Sequence, residues 1–292
     1  LAVLSEEQKE AFWRDGYTVV HPAVSPRLLQ GLKDDMAAWI EESRGQGENY
    51  GETINAKPRF DLDPTHRPDH PALRRVNAPI EVSDSYFEAA TAARAVDAVA
   101  ELIGPDLRFH HSKINAKQPG SVTAVAYHQD FPFTPHSNDD LITCLLAVDE
   151  MTAENGALEV VPGSHRGPIH GLWHGGRFTG QVSEEVQAEA KAKAVTLTLP
   201  AGAACLMHTR LLHGSAANLS ERPRTLFICV YSAADARALS PNPMPSRYEG
   251  MIVRGEDTRR VRAQSFELEL PELPSGASFF EQQLAAKEKE TA

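Results

Sequence analysis

Apolar residues recur at two different periods along the chain, and the change of period divides it. In the N-terminal third the spacing is helical. Ser5-Glu6-Glu7-Gln8 fits a capping box, which predicts a short helix over Gln8 to Arg14, stopped near Asp15-Gly16. A brief strand, Tyr17 to Val20, follows. Ser25 before Pro26 caps a second helix, with Leu28, Leu29, Leu32, Met36 and Ile40 on one face to about Ser43. Residues 44–81 show no period and are rich in Gly, Pro, Asp and Arg, which predicts a long loop. One or two helices are expected from Ser83 to Ile103, ended by Gly104-Pro105.

Beyond Leu107 the pattern becomes short apolar or alternating runs, which are strand signals. They are Leu107 to Asn115, Val122 to Phe131, Asp140 to Glu150, Leu158 to Val161, Ala194 to Leu199, Ala203 to His208, Leu211 to Ser215 and Arg224 to Ser232. Turn residues such as Gln118-Pro119-Gly120, Asn155-Gly156 and Pro200-Ala201-Gly202 separate them. Eight such strands predict a mainly-β fold: a double-stranded β-helix, the jelly-roll or cupin-like architecture, with flanking α-helices. Residues 165–193 interrupt the strand series as an inserted flap. The expected organisation is one domain over 1–292: helical decoration at 1–105, a jelly-roll core at 106–233 with the flap at 165–193, and a C-terminal wrap at 234–292. That wrap includes a charged helix over Phe280 to Lys289.

Composition changes this picture only at the edges. A net charge of −11, with no stripe of Lys and Arg, argues against a nucleic-acid partner. No run of about 18 apolar residues exists, so no membrane partner is expected. Cys144, Cys205 and Cys229 are widely spaced within apolar strands and read as reduced core residues of a cytoplasmic protein. The N-terminal residues show no secretory pattern, although Leu1 is not Met and residues can precede it. The oligomeric state is left unspecified.

The candidate chemistry is metal binding. His128-Gln129-Asp130 puts two donors on one face of a strand, because residues two apart point the same way. His213, in Leu212-His213-Gly214-Ser215, is a third donor from a distant strand. Two imidazoles and one carboxylate on one face of an octahedron leave three positions open, as in non-haem Fe(II) oxygenases. Arg224 shares a strand face with Leu226, Ile228 and Val230, which turns its guanidinium into the barrel mouth. Such a planar fork suits a carboxylate. Arg222, before Pro223, is expected in the solvated turn.

Other histidines invite plainer readings. His165 reads as a loop hydrogen-bond former and His208 as a core or supporting histidine. His110 and His111 should point to opposite faces, so that one at most meets the pocket. For His170, Trp173, His174 and Arg177 in the flap, substrate contact and simple solvation are both open.

Taken together, His128-Gln129-Asp130, Glu154-Asn155-Gly156-Ala157-Leu158 leading to Pro162-Gly163-Ser164-His165, His213-Gly214-Ser215 and Arg224 resemble the phytanoyl-CoA dioxygenase family of Fe(II)- and 2-oxoglutarate-dependent oxygenases. Phe12-x-x-x-Gly16-Tyr17-x-Val19-Val20 resembles the family's opening, and Ile114 to Lys117 with Asn155 to His165 resembles its ectoine hydroxylases. The resemblance implies that His128, Asp130 and His213 hold iron and are the catalytic centre. It implies that Arg224 grips the distal carboxylate of 2-oxoglutarate, helped by Thr143, Asn115 and Lys113. O2 is then the other co-substrate, and hydroxylation of an unactivated C–H bond of a small molecule the implied reaction, releasing succinate and CO2. Asp130 speaks against halogenation, in which the carboxylate ligand is lost. Desaturation or cyclisation on the same cofactors, and a metal-binding jelly roll without turnover, are the alternatives. His and Arg in the loops at 44–81, 132–139, 165–193 and 240–262, expected to line the mouth, favour a polar or carboxylate-bearing substrate.

Overall fold

The computed structural model describes residues 2–121 and 123–273. The expected charged helix over Phe280 to Lys289 therefore lies outside the described residues. Helix α1 (Glu6–Asp15) starts at the Ser5 capping box, in which Ser5 Oγ accepts from Gln8 N at 3.2 Å and Gln8 Oε1 accepts from Ser5 N at 2.9 Å. Strand β1 (Tyr17–Val20), helix α2 (Pro26–Ser43), and helices α3 (Asp84–Thr91) and α4 (Arg94–Ile103) follow the apolar spacing. The loop expected over residues 44–81 is instead partly ordered as β2 (Phe60–Leu62), β3 (Leu73–Asn77) and a single helical turn at Pro79–Glu81. All five residues of β3 are buried, Arg74 and Arg75 included, and the Arg74 guanidinium meets Asp61 at 2.8 Å in a fully buried ion pair. An internally neutralised strand carries no apolar alternation, which is why its sequence reads as loop.

The remaining strands are β4 (Leu107–Lys117), β5 (Val125–His128), β6 (Leu141–Ala147), β7 (Leu158–Val160), β8 (Trp173–His174), β9 (Arg177–Phe178), β10 (Val195–Leu197), β11 (Ala204–His208), β12 (His213–Ser215), β13 (Arg224–Ala233) and β14 (Ile252–Arg254). Each of the eight runs expected from the sequence overlaps one of them, with β4 and β13 running past the expected ends to Lys117 and Ala233. They form a large antiparallel sheet in the order β1-β11-β6-β13-β4-β3-β2, with β14 pairing β4, and a four-stranded sheet β10-β7-β12-β5. The fold is mainly β, a jelly roll of the cupin-like kind.

Both faces of the large sheet are covered, so β6 and β13 are buried at every position and read as near-continuous apolar runs. Leu145, Leu226 and Ile228 face inward, against Leu158 and Val160 of the small sheet. Leu146, Phe227 and Cys229 face outward, where Phe12, Leu32, Met36 and Val99 of the helices cover them. Helix α5 (Glu184–Lys193) and the β8–β9 hairpin make up the inserted segment. It packs through Leu172, Phe178, Val182 and Ala190 onto Tyr127 and Leu212. Gln187 on α5 pins it, accepting from Tyr127 N at 3.0 Å and donating to Tyr127 O at 2.8 Å.

Candidate metal centre and anion pocket

His128 ends β5 and His213 begins β12, and the two are direct cross-strand partners. Their ring centroids are 4.2 Å apart. Each imidazole is oriented by its own strand: His128 Nδ1 lies 2.8 Å from Ala126 O, and His213 Nδ1 lies 2.9 Å from Leu211 O. A carbonyl can only accept, so both Nδ1 atoms carry the proton and both Nε2 lone pairs are free for a metal. They point at Asp130 Oδ1, at 3.5 Å and 3.6 Å. Donor atoms of His128, Asp130 and His213 all lie within 4.8 Å of one another.

Asp130 reaches this position differently from the expected strand alternation. The strand stops at His128, and Asp130 adopts a helical backbone at the start of the single turn Phe131–Phe133. Gln129 makes that departure stable. Its buried amide donates to Arg210 O at 2.7 Å and Pro168 O at 3.1 Å, and accepts from His170 N at 2.8 Å. The other Asp130 oxygen, Oδ2, accepts a 2.6 Å hydrogen bond from Thr143 Oγ1 on β6. Burial alone would raise the Asp130 pKa, but His213, His128 and Lys113 hold it well below the usual carboxylate range. Burial, with His128 beside it, pushes His213 down to about 4, so it is a neutral donor near pH 7. Two imidazoles and a carboxylate, each already oriented, fit a divalent iron with an open face.

The triad opens into a cavity floored by β4 and β13. His111, Lys113, Asn115 and Lys117 alternate along β4 into it, and Arg224, Leu226, Ile228 and Val230 along β13. Arg224 is buried, makes no ion pair among the described residues, and its Nε has no hydrogen-bond partner there. Its one hydrogen bond among the described residues is a long one, Nη1 to Asn115 O at 3.4 Å. Burial lowers its pKa to about 10, and it stays charged near neutrality. Opposite it in register, Lys117 donates to Ser215 Oγ at 2.7 Å and to Ala216 O. Gly156 makes room for this lysine: its φ is +83°, and a Cβ there would lie 2.8 Å from Lys117 Cδ and from Ala216 O. Arg222 is solvated as expected, 61 % exposed and 3.0 Å from Glu150.

The other expected residues divide. Thr143 and Asn115 line the cavity, but the Thr143 hydroxyl is engaged with Asp130, and Asn115 Oδ1 accepts from Arg75 Nε at 3.0 Å. Lys113 lines the cavity with no hydrogen bond or ion pair among the described residues. His165 bonds Trp13 O at 3.2 Å, and His208 accepts from Arg210 N at 3.1 Å; neither joins the triad. A bulge in the β13–β4 pairing skips His110, so His110 and His111 do not alternate: their Nδ1 atoms meet at 2.7 Å and only His111 lines the cavity. The inserted segment at 165–193 supplies no lining residue, whereas Arg75, Phe133, Thr134, Pro243 and Met244 come from the other three expected loops. Arg75 was not singled out from the sequence, and Lys117 and Ser215 stood there inside motifs without a role of their own. The alternation of Lys113, Asn115 and Lys117 was the signal for Lys117, and β3 hid Arg75.

A jelly roll whose sheets converge on two imidazoles and a carboxylate, beside an unpaired buried arginine, defines the Fe(II)- and 2-oxoglutarate-dependent dioxygenases. The chain belongs to the phytanoyl-CoA dioxygenase family, whose model matches residues 12–226. It is 36% identical over 223 residues to a protein of Stutzerimonas stutzeri described as a "probable alpha-ketoglutarate-dependent hypophosphite dioxygenase", covering 74% of this chain and 78% of that one. It is 24% identical over 260 residues to the ectoine dioxygenase of Nocardia farcinica, covering 82% of each. The crystal structure of EctD from S. alaskensis in its apoform shares the fold, with a TM-score of 0.67 at 24% identity over 88% of this chain and 89% of that one. The protein is thus a dioxygenase that uses iron and 2-oxoglutarate. Among the described residues no helix is long and apolar enough to cross a membrane.

Proposed function

We propose that His128, Asp130 and His213 hold Fe(II), that Arg224 anchors the distal carboxylate of 2-oxoglutarate, and that the enzyme hydroxylates a small polar or carboxylate-bearing molecule. The observation that carries this is the convergence of two Nε2 lone pairs and one carboxylate on a single point. When bound, iron and 2-oxoglutarate supply the oxidation: O2 gives one oxygen atom to the substrate's X–H bond, making X–OH, and one to the co-substrate, which leaves as succinate and CO2.

The chain's own residues place these reactants. Nδ1 bonds to Ala126 O and Leu211 O fix both imidazoles, and Thr143 fixes the Asp130 carboxylate. Thr143 acts through Asp130 and is a positioning residue. Arg224 offers its unpartnered Nε edge to a carboxylate, with Lys117 and Ser215 beside it. Asn115 accepts from Arg75 through its side chain and weakly from Arg224 through its backbone carbonyl. The relatives named for hypophosphite and for ectoine support a small polar substrate.

We propose further that the chain works as one domain in a reducing, cytoplasmic compartment. Support comes from the shared core of helices and large sheet, and from Cys144 and Cys229, which are direct cross-strand partners yet free thiols.

The test is anaerobic titration of the apo-protein with Fe(II), then with 2-oxoglutarate. One iron should bind, and 2-oxoglutarate should produce a weak visible charge-transfer band. Asp130→Ala should lose the band and bind iron far more weakly. Full iron affinity and full succinate production in Asp130→Ala would remove the triad from this account.

A further inference from the structure

Of the three metal donors, Asp130 is the one that no strand holds. His128 and His213 are cross-strand partners on β5 and β12, whereas Asp130 opens the turn Phe131–Phe133. Phe131 N anchors that turn to the barrel, donating to Thr209 O at 2.8 Å. The Phe131 ring is fully buried in a small apolar cluster with Leu141, Val230 and Ala236. The cover of this cluster comes from the far end of the chain. Phe266 and Leu268 pack on it together with Ile169, and the Phe266 ring meets Phe131 edge-on at 5.2 Å and 87°.

Residues 262–270 cross this face as a strap with neither helix nor strand. Phe266 and Leu268 are half-buried while Ser265, Glu267 and Glu269 are exposed, the alternation of an extended chain with one face down. Its start is firmly fastened. Arg262 pairs with Asp140 and, at 3.1 Å, with Asp235; its carbonyl accepts from Ser137 Oγ at 2.9 Å, and Gln264 N donates to Ser137 O at 2.8 Å. Further along, Trp173 Nε1 donates to Leu270 O at 3.0 Å and ties the strap to the inserted segment. The same segment is bonded to the metal turn through Gln129, which meets Pro168 O and His170 N. Pro168 to Trp173 is thus fastened to both.

We propose that Phe266 is a positioning residue for iron binding: by capping Phe131, the strap at 262–270 holds the turn that presents the Asp130 carboxylate, and with it the inserted segment. This rests on the reading of Asp130 as an iron donor and adds the element that places that donor. The two imidazoles are fixed by their own strands, so loss of the cap falls on the carboxylate. When a fraction of molecules presents the third donor, apparent affinity is reduced by that fraction. An edge-on aromatic contact shifts such an equilibrium by a factor of about two to twelve.

The test titrates metal-free wild type, Phe266→Ala, Phe266→Leu, Arg254→Ala and Asp130→Ala anaerobically with Fe(II), in competition with a chromophoric chelator and without 2-oxoglutarate. Hydrogen exchange of the same metal-free proteins is followed over 129–134 and 168–173. Phe266→Ala should bind iron at least about threefold more weakly, and both segments should exchange faster. Phe266→Leu, which keeps an apolar cap, should recover part of each effect. Arg254 fastens the C-terminal chain elsewhere, donating to Thr91 O at 2.6 Å and pairing with Asp97 at 2.7 Å. Arg254→Ala should therefore leave iron affinity within about twofold. The proposal is overturned if Phe266→Ala leaves either the iron affinity or the exchange at 129–134 unchanged. It is equally overturned if Arg254→Ala weakens iron as much, because general loosening of the chain then explains the loss. Full iron affinity in Asp130→Ala is a different failure: it removes the carboxylate from the metal site, and the strap then has no donor to position.

Discussion

Arg222 and Arg224 are two residues apart and differ in almost everything that matters to a carboxylate. Arg222 is solvated and paired with Glu150, while Arg224 is buried with no partner for its Nε among the described residues. An exposed pair is worth about 0–1 kcal/mol. A bond from a charged donor is worth about 1.5–3 kcal/mol, and roughly 1.4 kcal/mol is tenfold in affinity. Arg224→Ala should therefore raise the 2-oxoglutarate requirement at least about tenfold, and Arg224→Lys should recover part, since charge returns without the planar fork. Arg222→Ala should change it little. Iron affinity should hold in all three, as none removes a donor. Titrating 2-oxoglutarate against succinate formation checks the pattern; a damaging Arg222→Ala beside a mild Arg224→Ala would put the wrong arginine in the cavity. The distinction was legible in the sequence because β13 is regular, so alternation from Arg224 to Val230 sorts the faces unaided. It was not legible at Asp130, where a turn breaks the period; at His110 and His111 the expectation that one at most meets the pocket held across a bulge. At Asp130, hydrogen bonds made by the neighbouring Gln129 to residues 39 to 81 positions away hold the turn, and no local pattern encodes them.

Among the elements, those driven by apolar burial were readable and those held by buried charge were not. β6, β11 and β13 announce themselves as apolar runs between turns. β2 and β3 do not, since Asp61, Arg74 and Arg75 supply three of their eight positions. Their attachment is electrostatic: Asp61 with Arg74, and Arg59 donating to Glu81 at 2.8 Å and to Ala78 O at 2.8 Å. This attachment matters to the site, because β3 carries Arg75 into the cavity and the Asp61 charge helps keep Arg75 protonated against burial. Removing one partner of such a pair strands the other charge, at a cost of about 3–5 kcal/mol. Asp61→Ala should thus lower unfolding free energy by about 3 kcal/mol in urea titration. Asp257→Ala, which removes an exposed partner of Arg108, should cost under about 1 kcal/mol. Equal losses in the two variants would mean that β2 and β3 are held by their apolar residues after all.

At the scale of the molecule, two opposing effects act as the pH falls. The chain carries a net charge of −11, and protonation relieves its self-repulsion, which favours the fold. Against this stand histidines buried in the neutral form outside the triad. Burial lowers His110 to about 3, and His136 and His208 to about 4. His110 and His136 pack edge-on at 4.9 Å, with His136 Nδ1 donating to Thr134 O at 2.8 Å, so neither has room for a hydrated charge. An unfolded histidine titrates near 6.5. Between 6.5 and about 4 the unfolded chain therefore binds more protons than the folded one, and unfolding free energy must rise with pH across that window. Stability is full above about 6.5 and is lost as pH falls through 4. Each unit of depression corresponds to about 1.4 kcal/mol, whereas dispersed surface charges are screened by salt and contribute little singly. The histidines should win. Chelator-treated protein should lose at least about 2 kcal/mol between pH 7 and pH 5, seen as a fall of several degrees in Tm, in 0.15 M salt to suppress the surface term. His136→Asn, which keeps a donor to Thr134 O without a titrating ring, should flatten part of that slope. A Tm that stays level or rises from pH 7 to pH 5 would show that relief of the acidic surface outweighs the buried imidazoles.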